Sequence, residues 1–396
     1  MSATTILDVN NATNTAGVPP APPGAKPRAG VGARPGAGEP ARPTSGLLTE
    51  AQRRVLREAL VGRPLIVCFG AGVDSTAMLV ALHEAGVRPD LITFADTGGE
   101  KPETLDHVDR TNAILSAWGW PAIDVCRKVP LATTGYADLF GNCLKNETLP
   151  SLAFGMKSCS IKWKQIPQDQ FIKGVKRGPN ACEPHPLWSA AQGSGERLVK
   201  LIGYDCGRAD VRRSASIKEK QDDFDYVYPL QLVGWTRRDC VVAITRALGA
   251  AMVPIKSACF FCPASKQWEL YWLAAHHPKL LERALTLERR ALTGRHSRFD
   301  EVEFGASWEV LVRTADRFPS TSTSVGLGRS FAWNQWARVN QVVDDEFSVK
   351  RAEADRARFA QMAEVLRDAD NAYDVRMVSS DAAPRGRKVE QLELAW

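Results

Sequence analysis

Long apolar runs are missing from the 396-residue sequence, and none approaches the length that spans a membrane. The first sixteen residues also lack the basic start and apolar core of a secretory signal. These absences predict a cytoplasmic protein without a membrane partner. In a reducing compartment, clustered members of the nine cysteines would serve as metal ligands or redox groups more often than as disulfides.

Several well-known motifs are absent as well. The first Gly-rich turn is not followed by Lys and then Ser or Thr, which excludes a Walker loop, and it lacks the third Gly of a dinucleotide fingerprint. Ser75 has no nucleophile-elbow pattern around it, which excludes that type of serine hydrolase. The spacings of helix-turn-helix and zinc-finger proteins are also missing. The net charge of +6 permits a phosphate-bearing partner but does not demand nucleic acid.

Composition divides the chain into three parts. Residues 1–46 are rich in Pro, Ala, Gly and Thr and almost without large apolar side chains, so they are predicted to form a disordered tail. Residues 47–263 carry alternating strand and helix patterns, and residues 264–396 are predicted to form a helical C-terminal region.

The alternation in the middle part predicts the fold class. Strands are predicted at residues 65–69, 90–94, 121–129, 197–204 and 226–233. Helices are predicted at residues 49–61, 74–85, 102–118 and 237–248, and residues 178–197 are interpreted as a loop. Strands and helices at this spacing predict an α/β fold with a doubly wound, mostly parallel sheet and a C-terminal helical extension.

The turn between the first strand and its helix is the strongest candidate site. Gly70, Ala71 and Gly72 form the turn, and Asp74, Ser75 and Thr76 begin the helix. A Gly-rich turn exposes backbone N–H groups, and the helix dipole favours negative charge. The turn either holds the phosphates of a nucleotide or is an ordinary strand-to-helix connection.

A second segment is expected beside this turn. Asp96, Thr97, Gly98 and Gly99 follow the next predicted strand. Ligands of parallel sheets bind beyond the carboxyl ends of the strands, so both segments should line one crevice.

The cysteines predict half of a metal site. The spacing of Cys259-x-x-Cys262 aims two sulfurs at one point, although two buried small hydrophobes remain the alternative. Cys159 and Cys206 are the best-placed further ligands, and Cys143 and Cys182 are reserves. Cysteines in apolar patterns are interpreted as core residues: Cys68, Cys126 and Cys240.

Charged residues near these segments suit phosphate chemistry. Arg forks match phosphate or sulfate oxygens, and surface charge is the alternative for each of Lys162, Lys164, Arg208, Arg212 and Arg213. Carboxylates at Asp74 and Asp96 could hold Mg²⁺ between phosphates, although Asp74 could equally be a helix N-cap.

Four stretches, in this order, resemble the phosphoadenosine phosphosulfate (PAPS) reductase branch of the adenine nucleotide α-hydrolase superfamily. Residues 69–76 resemble the PP-loop, and residues 95–104 resemble the branch's Asp-Thr-Gly…Pro-Glu-Thr segment. Residues 159–167 are similar to its cysteine- and lysine-bearing stretch, and Cys259-x-x-Cys262 to its downstream cysteine pair. The resemblance covers about residues 60–265.

This resemblance implies a bound adenine nucleotide, ATP or PAPS, with Mg²⁺. It implies a [4Fe–4S] cluster, with Zn²⁺ as the alternative, on Cys159, Cys206, Cys259 and Cys262. The nucleotide would contact Gly70, Gly72, Ser75, Thr76, Asp96, Thr97 and Gly98. The candidate catalytic residues are Asp74, Lys164 and Arg212.

Departures from the family pattern bear on the reaction. Gly70 and Ala71 replace the usual Ser and Gly of the loop, and Ser160 replaces the second cysteine of a pair. PAPS reductases carry a nucleophilic cysteine near the C-terminus, whereas the last cysteine here is Cys262. The sequence therefore favours ATP-dependent adenylation of an acceptor with pyrophosphate release, followed by sulfur or nitrogen transfer.

Enzymes of this kind modify nucleic acids, so DNA or tRNA is the implied acceptor and a sulfur donor the implied co-substrate. One alternative is a PAPS or adenylyl-sulfate reductase with a non-standard thiol and a thioredoxin-like reductant. Another is a non-catalytic protein that binds a nucleotide or nucleic acid.

Overall fold

The computed structural model describes residues 46–218, 223–293, 326–329, 331–344, 348–349 and 353–379. The predicted disordered tail, apart from Gly46, lies outside these residues. Within the described part of the chain, no helix is both long enough and apolar enough to cross a membrane.

A parallel sheet of five strands organises the described residues. Its strands are β1 (Leu65–Phe69), β2 (Leu91–Asp96), β3 (Ile123–Arg127), β4 (Leu198–Ile202) and β5 (Phe224–Val227). Their spatial order is β3-β2-β1-β4-β5, and every neighbouring pair is parallel. The predicted α/β fold with a doubly wound parallel sheet is confirmed.

Strand β1 lies at the centre and sets the position of the crevice. Ile66 pairs with Leu91 of β2, and Leu65 pairs with Val199 of β4 on the other side. The chain therefore moves outward in one direction through β2 and β3 and returns to the other side for β4 and β5. Ligands of open α/β sheets bind at such a switch point, beyond the carboxyl end of the central strands.

Helices connect the strands and extend the chain beyond the sheet. Up to β4 they are α1 (Glu50–Leu60), α2 (Val73–Glu84), α3 (Pro102–Ala117), α4 (Leu139–Lys145), α5 (Ile166–Lys173) and α6 (Pro186–Ser194). After β4 they are α7 (Arg208–Lys218), α8 (Pro229–Leu232), α9 (Arg237–Leu248), α10 (Gln267–His276), α11 (Pro278–Thr293), α12 (Trp333–Val339) and α13 (Glu353–Ser379). A π-helical turn, Ile161–Gln165, precedes α5.

Alternation along β1 gives the sheet two covered faces. Leu65, Val67 and Phe69 join a core with residues of α1, α2, α3 and α9. Ile66 points the other way and packs with residues of α5 and α6. Side chains of a strand alternate between faces, so one short apolar strand contributes to both cores.

Two predictions, of a strand and of a loop, are wrong because a helix begins at a proline within each. The strand expected over 226–233 is only Phe224–Val227, because Pro229 begins the short helix α8. Within the expected loop 178–197, Pro186 begins α6 and His185 caps it. Proline has a φ angle suited to the first turn of a helix and no N–H to lose there, so both residues start helices.

The predicted helical extension is confirmed over its described residues. Helices α10 to α13 share an apolar core with α4 and with residues 259–261. Trp268, Trp333 and Trp336 are buried, as expected for packing residues. The core of this extension therefore reaches back to the sheet through the segment that carries the cysteine pair.

Candidate active site

The turn after β1 is held closed by its own hydroxyls. The Gly72 N–H donates to Ser75 Oγ at 3.2 Å, and Ser75 Oγ donates to the Gly72 carbonyl at 3.1 Å. Thr76 Oγ1 donates to the same carbonyl at 2.9 Å. Ala71 is buried with a φ of 52°, a left-handed conformation that is uncommon outside Gly. Gly72, rather than Asp74, is the N-cap of α2.

A buried histidine supports this turn from behind. His107 Nε2 lies 2.8 Å from Thr76 Oγ1, and the His107 side chain is fully buried. Burial, with a smaller contribution from Arg110, lowers the pKa of His107 to about 4. His107 is therefore neutral at physiological pH. No sequence pattern identifies this role, because a single His within a helical pattern carries no signal of its partner.

Three carboxylates meet where the ends of β1 and β4 lie side by side. Oxygens of Asp74, Asp205 and Asp210 all lie within 4.8 Å of one another. Arg237 donates to Asp74 Oδ2 at 2.6 Å, whereas Asp74 Oδ1 is buried without a hydrogen-bond partner among the described residues. Burial raises the pKa of Asp74 and of Asp205, and repulsion between the carboxylates raises both further.

The approach of β4 to the turn requires glycine. A Cβ atom on Gly203 would lie 2.8 Å from the backbone nitrogen of Ser75. Among these residues Asp74 was predicted, whereas Asp205, Asp210 and Arg237 were not assigned to the site. Asp205 follows a predicted strand, and that position was the available signal.

The segment after β2 lies on the other side of the turn. Asp96 pairs with Arg127 at the end of β3 and accepts a hydrogen bond from the Gly98 N–H at 2.7 Å. Thr97 Oγ1 donates to Glu100 Oε1 at 3.0 Å and lies 3.2 Å from Cys259 Sγ. Because β1 and β2 are parallel neighbours, residues 70–75 and 96–99 lie at the same edge of the sheet, and their common crevice stays a prediction.

Residues 256–266, here called the cysteine loop, dock on this segment. The Phe260 N–H donates to the Gly99 carbonyl at 2.8 Å, and Glu100 pairs with Cys259 in an antiparallel bridge. A Cβ atom on Gly99 would lie 2.5 Å from the Phe261 ring, so only glycine fits. The cysteine loop thus contacts both the sheet edge and the helical extension.

Three of the four predicted metal ligands lie in one region. Cys159, Cys259 and Cys262 pack in the same apolar core, together with Cys143 of α4. Burial raises the pKa of Cys259 and Cys262, and raises that of Cys143 to about 12. Proximity to Cys159 adds to the raised pKa of both Cys143 and Cys262.

Cys206 is not brought to these cysteines. Its Sγ faces the Leu230 carbonyl at 3.9 Å, and its N–H donates to the Trp235 carbonyl at 2.9 Å. Its position, directly after Asp205, places it near the carboxylates. Cys143, which the sequence ranked as a reserve, packs in the same apolar core as Cys159, Cys259 and Cys262.

Lys164 lies between the segment after β2 and the cysteines. Its Nζ is 3.2 Å from Glu100 Oε1, whose partner oxygen Oε2 is buried without a hydrogen bond in the described residues. Burial alone would lower the pKa of Lys164, but attraction to Glu100 outweighs it and the net pKa is raised. Lys164 is therefore a stable cation at the site.

Arg212 occupies a different position from the one expected of a catalytic residue. It is exposed on α7, and its Nε donates to the Arg208 carbonyl at 3.2 Å within the same helix. The catalytic roles predicted for Asp74, Lys164 and Arg212 remain predictions.

Comparisons with known proteins do not assign this chain to a family. No family model matches the chain. No curated protein matches it. A solved structure of the U34-tRNA thiolase NcsA from Methanococcus maripaludis, with its [4Fe-4S] cluster, is similar over 64% of this chain and 80% of that one, at 13% identity and a TM-score of 0.33. At this level of similarity, the substrate and cluster of NcsA are facts about that protein alone.

Proposed function

We propose that this chain is a PP-loop enzyme of the adenine nucleotide α-hydrolase type, which binds ATP and activates an acceptor by adenylation. One observation carries the proposal. The turn at 70–75, the segment at 96–100 and the cysteine loop meet at a single edge of a parallel sheet, at its switch point. Three motifs that are far apart in the sequence thus lie at one edge of the sheet.

The phosphates would lie against the N-terminus of α2. The first-turn N–H groups of Val73, Asp74 and Ser75 have no helical acceptor, as at every helix start, and are the donors that a phosphate would use. The glycines beside them allow a phosphate to approach the backbone. Because Ser75 and Thr76 already bind Gly72, their hydroxyls fix the shape of the turn and the backbone does most of the binding.

Mg²⁺ fits the three carboxylates. Asp74, Asp205 and Asp210 are hard oxygen ligands, and Asp74 Oδ1 lacks a partner among the described residues. Burial and repulsion between carboxylates raise the pKa values of Asp74 and Asp205, and a divalent cation would relieve that repulsion. When bound, the ion would neutralise phosphate charge and orient the leaving pyrophosphate.

The proposed adenylation is a displacement at phosphorus and involves no oxidation or reduction. An oxygen of the acceptor attacks the α-phosphorus of ATP, and the bond from that phosphorus to the bridging oxygen breaks. Pyrophosphate leaves with the electron pair, and AMP is joined to the acceptor. A sulfur or nitrogen nucleophile then displaces AMP. Lys164 and Arg237 are the cations of the crevice that can stabilise the charge that develops.

The clustered cysteines fit a bound metal centre. Four thiols, of Cys143, Cys159, Cys259 and Cys262, belong to one apolar core, where unliganded thiolates would be costly. A [4Fe–4S] cluster held there would supply a site for sulfur ligation or electron transfer. Thr97 and Lys164 lie between these cysteines and the nucleotide segment.

The experiment incubates the purified chain with ATP, Mg²⁺ and candidate DNA or tRNA acceptors and measures pyrophosphate. We expect pyrophosphate release that depends on the acceptor and is lost in the double variant Asp74→Ala, Ser75→Ala. The double variant Asp106→Ala, Ser116→Ala changes the same residue types on the exposed side of α3 and should match wild type. No difference between the two double variants would refute the proposal.

A further inference from the structure

The cysteine loop brings a hydroxyl to the phosphate-binding turn. A Cβ atom placed on Gly72 would lie 2.8 Å from Ser257 Oγ and 3.9 Å from Ser257 Cβ. Ser257 is half-buried, and its hydroxyl has no hydrogen-bond partner among the described residues. The two other hydroxyls at this turn, of Ser75 and Thr76, are both engaged with Gly72. Ser257 thus supplies an uncommitted hydroxyl beside the turn.

Contacts on both sides hold Ser257 in this position. Next to it in the chain, the Lys256 carbonyl accepts a hydrogen bond from Lys101 Nζ at 3.3 Å, and Lys101 is buried against Glu269. Three residues further along, the Phe260 N–H is bonded to the Gly99 carbonyl. The loop is therefore anchored before and after Ser257, so its hydroxyl reaches Gly72 from a preorganised backbone.

We propose that Ser257 is a nucleotide-binding residue, which donates its hydroxyl hydrogen to a phosphate oxygen held at the turn of Gly70–Ser75. The proposal rests on the proposed function, because it needs a nucleotide phosphate at this turn. It means that the phosphate site is composite. The turn after β1 supplies backbone N–H groups, and the loop that carries Cys259 and Cys262 supplies a side-chain donor.

This arrangement connects the proposed nucleotide site to the cysteines through one short loop. Ser257 and Cys259 are two residues apart, and the loop between them is fixed against the segment after β2. A phosphate that binds Ser257 therefore contacts the same short loop that positions Cys259 and Cys262.

The test measures ATP binding by isothermal titration calorimetry with Mg²⁺ present. Loss of a hydrogen bond to a charged phosphate predicts that Ser257→Ala binds ATP about 10- to 100-fold more weakly. Ser257→Thr keeps the hydroxyl and should retain most of the affinity. The melting temperature of Ser257→Ala should match wild type, because the hydroxyl has no partner within the described protein.

Ser265→Ala is the matched control. It removes a hydroxyl from the same loop, one that is buried without a hydrogen bond, and it should leave ATP affinity unchanged. Equal ATP affinity in wild type and Ser257→Ala would overturn the inference. If wild type itself does not bind ATP, the proposed function is wrong, and the role of Ser257 in binding ATP is wrong with it.

A double-mutant cycle provides a second test. Gly72→Ala would place its methyl group against Ser257 Oγ and displace the hydroxyl, whereas Ser257→Ala removes that atom. We expect Gly72→Ala to weaken ATP binding in the wild-type background and to add little in the Ser257→Ala background. Fully additive losses would contradict the placement of Ser257 in the cradle.

Discussion

At the scale of single residues, His107 shows how a buried group makes stability depend on pH. An unfolded histidine has a pKa near 6.5, and burial lowers that of His107 to about 4. Between these values the unfolded chain binds a proton that the folded chain does not. The free energy of unfolding therefore rises with pH across this range and falls as the solution is acidified.

This gives a direct prediction for His107→Gln. Wild type should lose about 2 kcal/mol of unfolding free energy from this residue between pH 7 and pH 5, and the variant should lack that part. Urea denaturation at the two pH values measures it. His83 and His276 also have lowered pKa values, so both proteins keep a common background slope. Parallel slopes for wild type and variant would contradict the prediction.

Sequence patterns pointed to candidate site residues but not to the distant residues that contact them. Asp74, Ser75 and Thr97 were recognised from short motifs, because glycine and carboxylate at a strand end carry a local signal. Arg237 lies 163 positions from Asp74, and no local pattern pairs two such residues. The role of Cys206 as fourth ligand stays a prediction, whereas the packing of α4, which no local pattern reveals, brings Cys143 into the core of the cysteine loop.

At the scale of elements, the packing of α4 against the cysteine loop predicts which cysteine is the fourth metal ligand. If Cys143 is the fourth ligand, Cys143→Ala should lower the iron bound after anaerobic reconstitution, together with the visible absorbance of the centre. Cys206→Ala should retain both, because Cys206 Sγ faces the Leu230 carbonyl instead. Iron content that falls in Cys206→Ala but not in Cys143→Ala would reverse this assignment.

Helix α12 depends on one buried carboxylate. Glu288 accepts hydrogen bonds from the N–H groups of Leu327, Trp333 and Asn334, at 2.6 to 2.8 Å, and from the Asn334 side chain. It thus satisfies the start of α12 from a neighbouring helix, in place of a local cap.

Glu288→Gln should therefore destabilise the helical extension by about 2–4 kcal/mol. The new NH₂ group would face backbone donors and leave them unsatisfied. Urea denaturation followed by the fluorescence of the buried Trp333 and Trp336 measures the loss. Glu282 of the same helix, α11, is half-buried and makes none of these contacts, so Glu282→Gln should unfold like wild type. Indistinguishable midpoints for the two variants would show that α12 does not need this carboxylate.

Element boundaries followed from the sequence wherever local chemistry decided them. Strand β1 has its predicted limits. Helix α1, predicted to start at Thr49, begins one residue later, and the Thr49 side chain caps it by accepting a hydrogen bond from the Gln52 N–H. The prolines at 186 and 229 were interpreted as loop and strand residues, although each starts a helix. Which role a proline takes depends on whether tertiary packing continues the helix after it.

At the scale of the whole molecule, a buried ion pair joins the sheet to the helical extension. Lys101 lies directly before the first residue of α3 and pairs with Glu269 of α10, and both side chains are almost fully buried. Lys256 of the cysteine loop pairs with Glu269 as well, at 2.9 Å. A buried charge whose partner is removed is costly, whereas removal of both charges is tolerated better.

Lys101→Met alone should lower the free energy of unfolding by about 3–5 kcal/mol. The double variant Lys101→Met, Glu269→Gln should recover part of that loss, since it removes a buried carboxylate that would keep only Lys256 as its charged partner. Chemical denaturation of the three proteins checks this. A double variant that is less stable than Lys101→Met would show that the pair contributes more than charge balance.

The distribution of cations across the sheet edge predicts how an acceptor binds. Lys128 follows β3, its Nζ lies 4.7 Å from the centre of the Trp163 ring, and the pKa of Lys128 is lowered by burial and by repulsion from Lys162. Lys162 is exposed on the π-helical turn. Two like charges beside an aromatic ring suit the phosphates of a nucleic acid.

We expect Lys128→Ala, Lys162→Ala to weaken binding of the chain to DNA or tRNA. It should also reduce the slope of log affinity against log salt by about 1.5 to 2, because two phosphate contacts are lost. Fluorescence anisotropy at several salt concentrations measures the slope. The pair Lys145→Ala, Lys279→Ala removes two exposed lysines of α4 and α11 and should keep the wild-type slope. An unchanged slope in the first variant would exclude these lysines as phosphate contacts.

The contact between Thr97 and Cys259 spans 162 positions of the chain, and this has a consequence for biosynthesis. At about 5–20 residues per second, a ribosome needs roughly 10–30 s to add the cysteine loop after the segment that it closes. All five strands are complete once residue 227 has emerged. Synthesis arrested between residues 228 and 256 would therefore release a chain with its whole sheet but without the loop that completes the crevice.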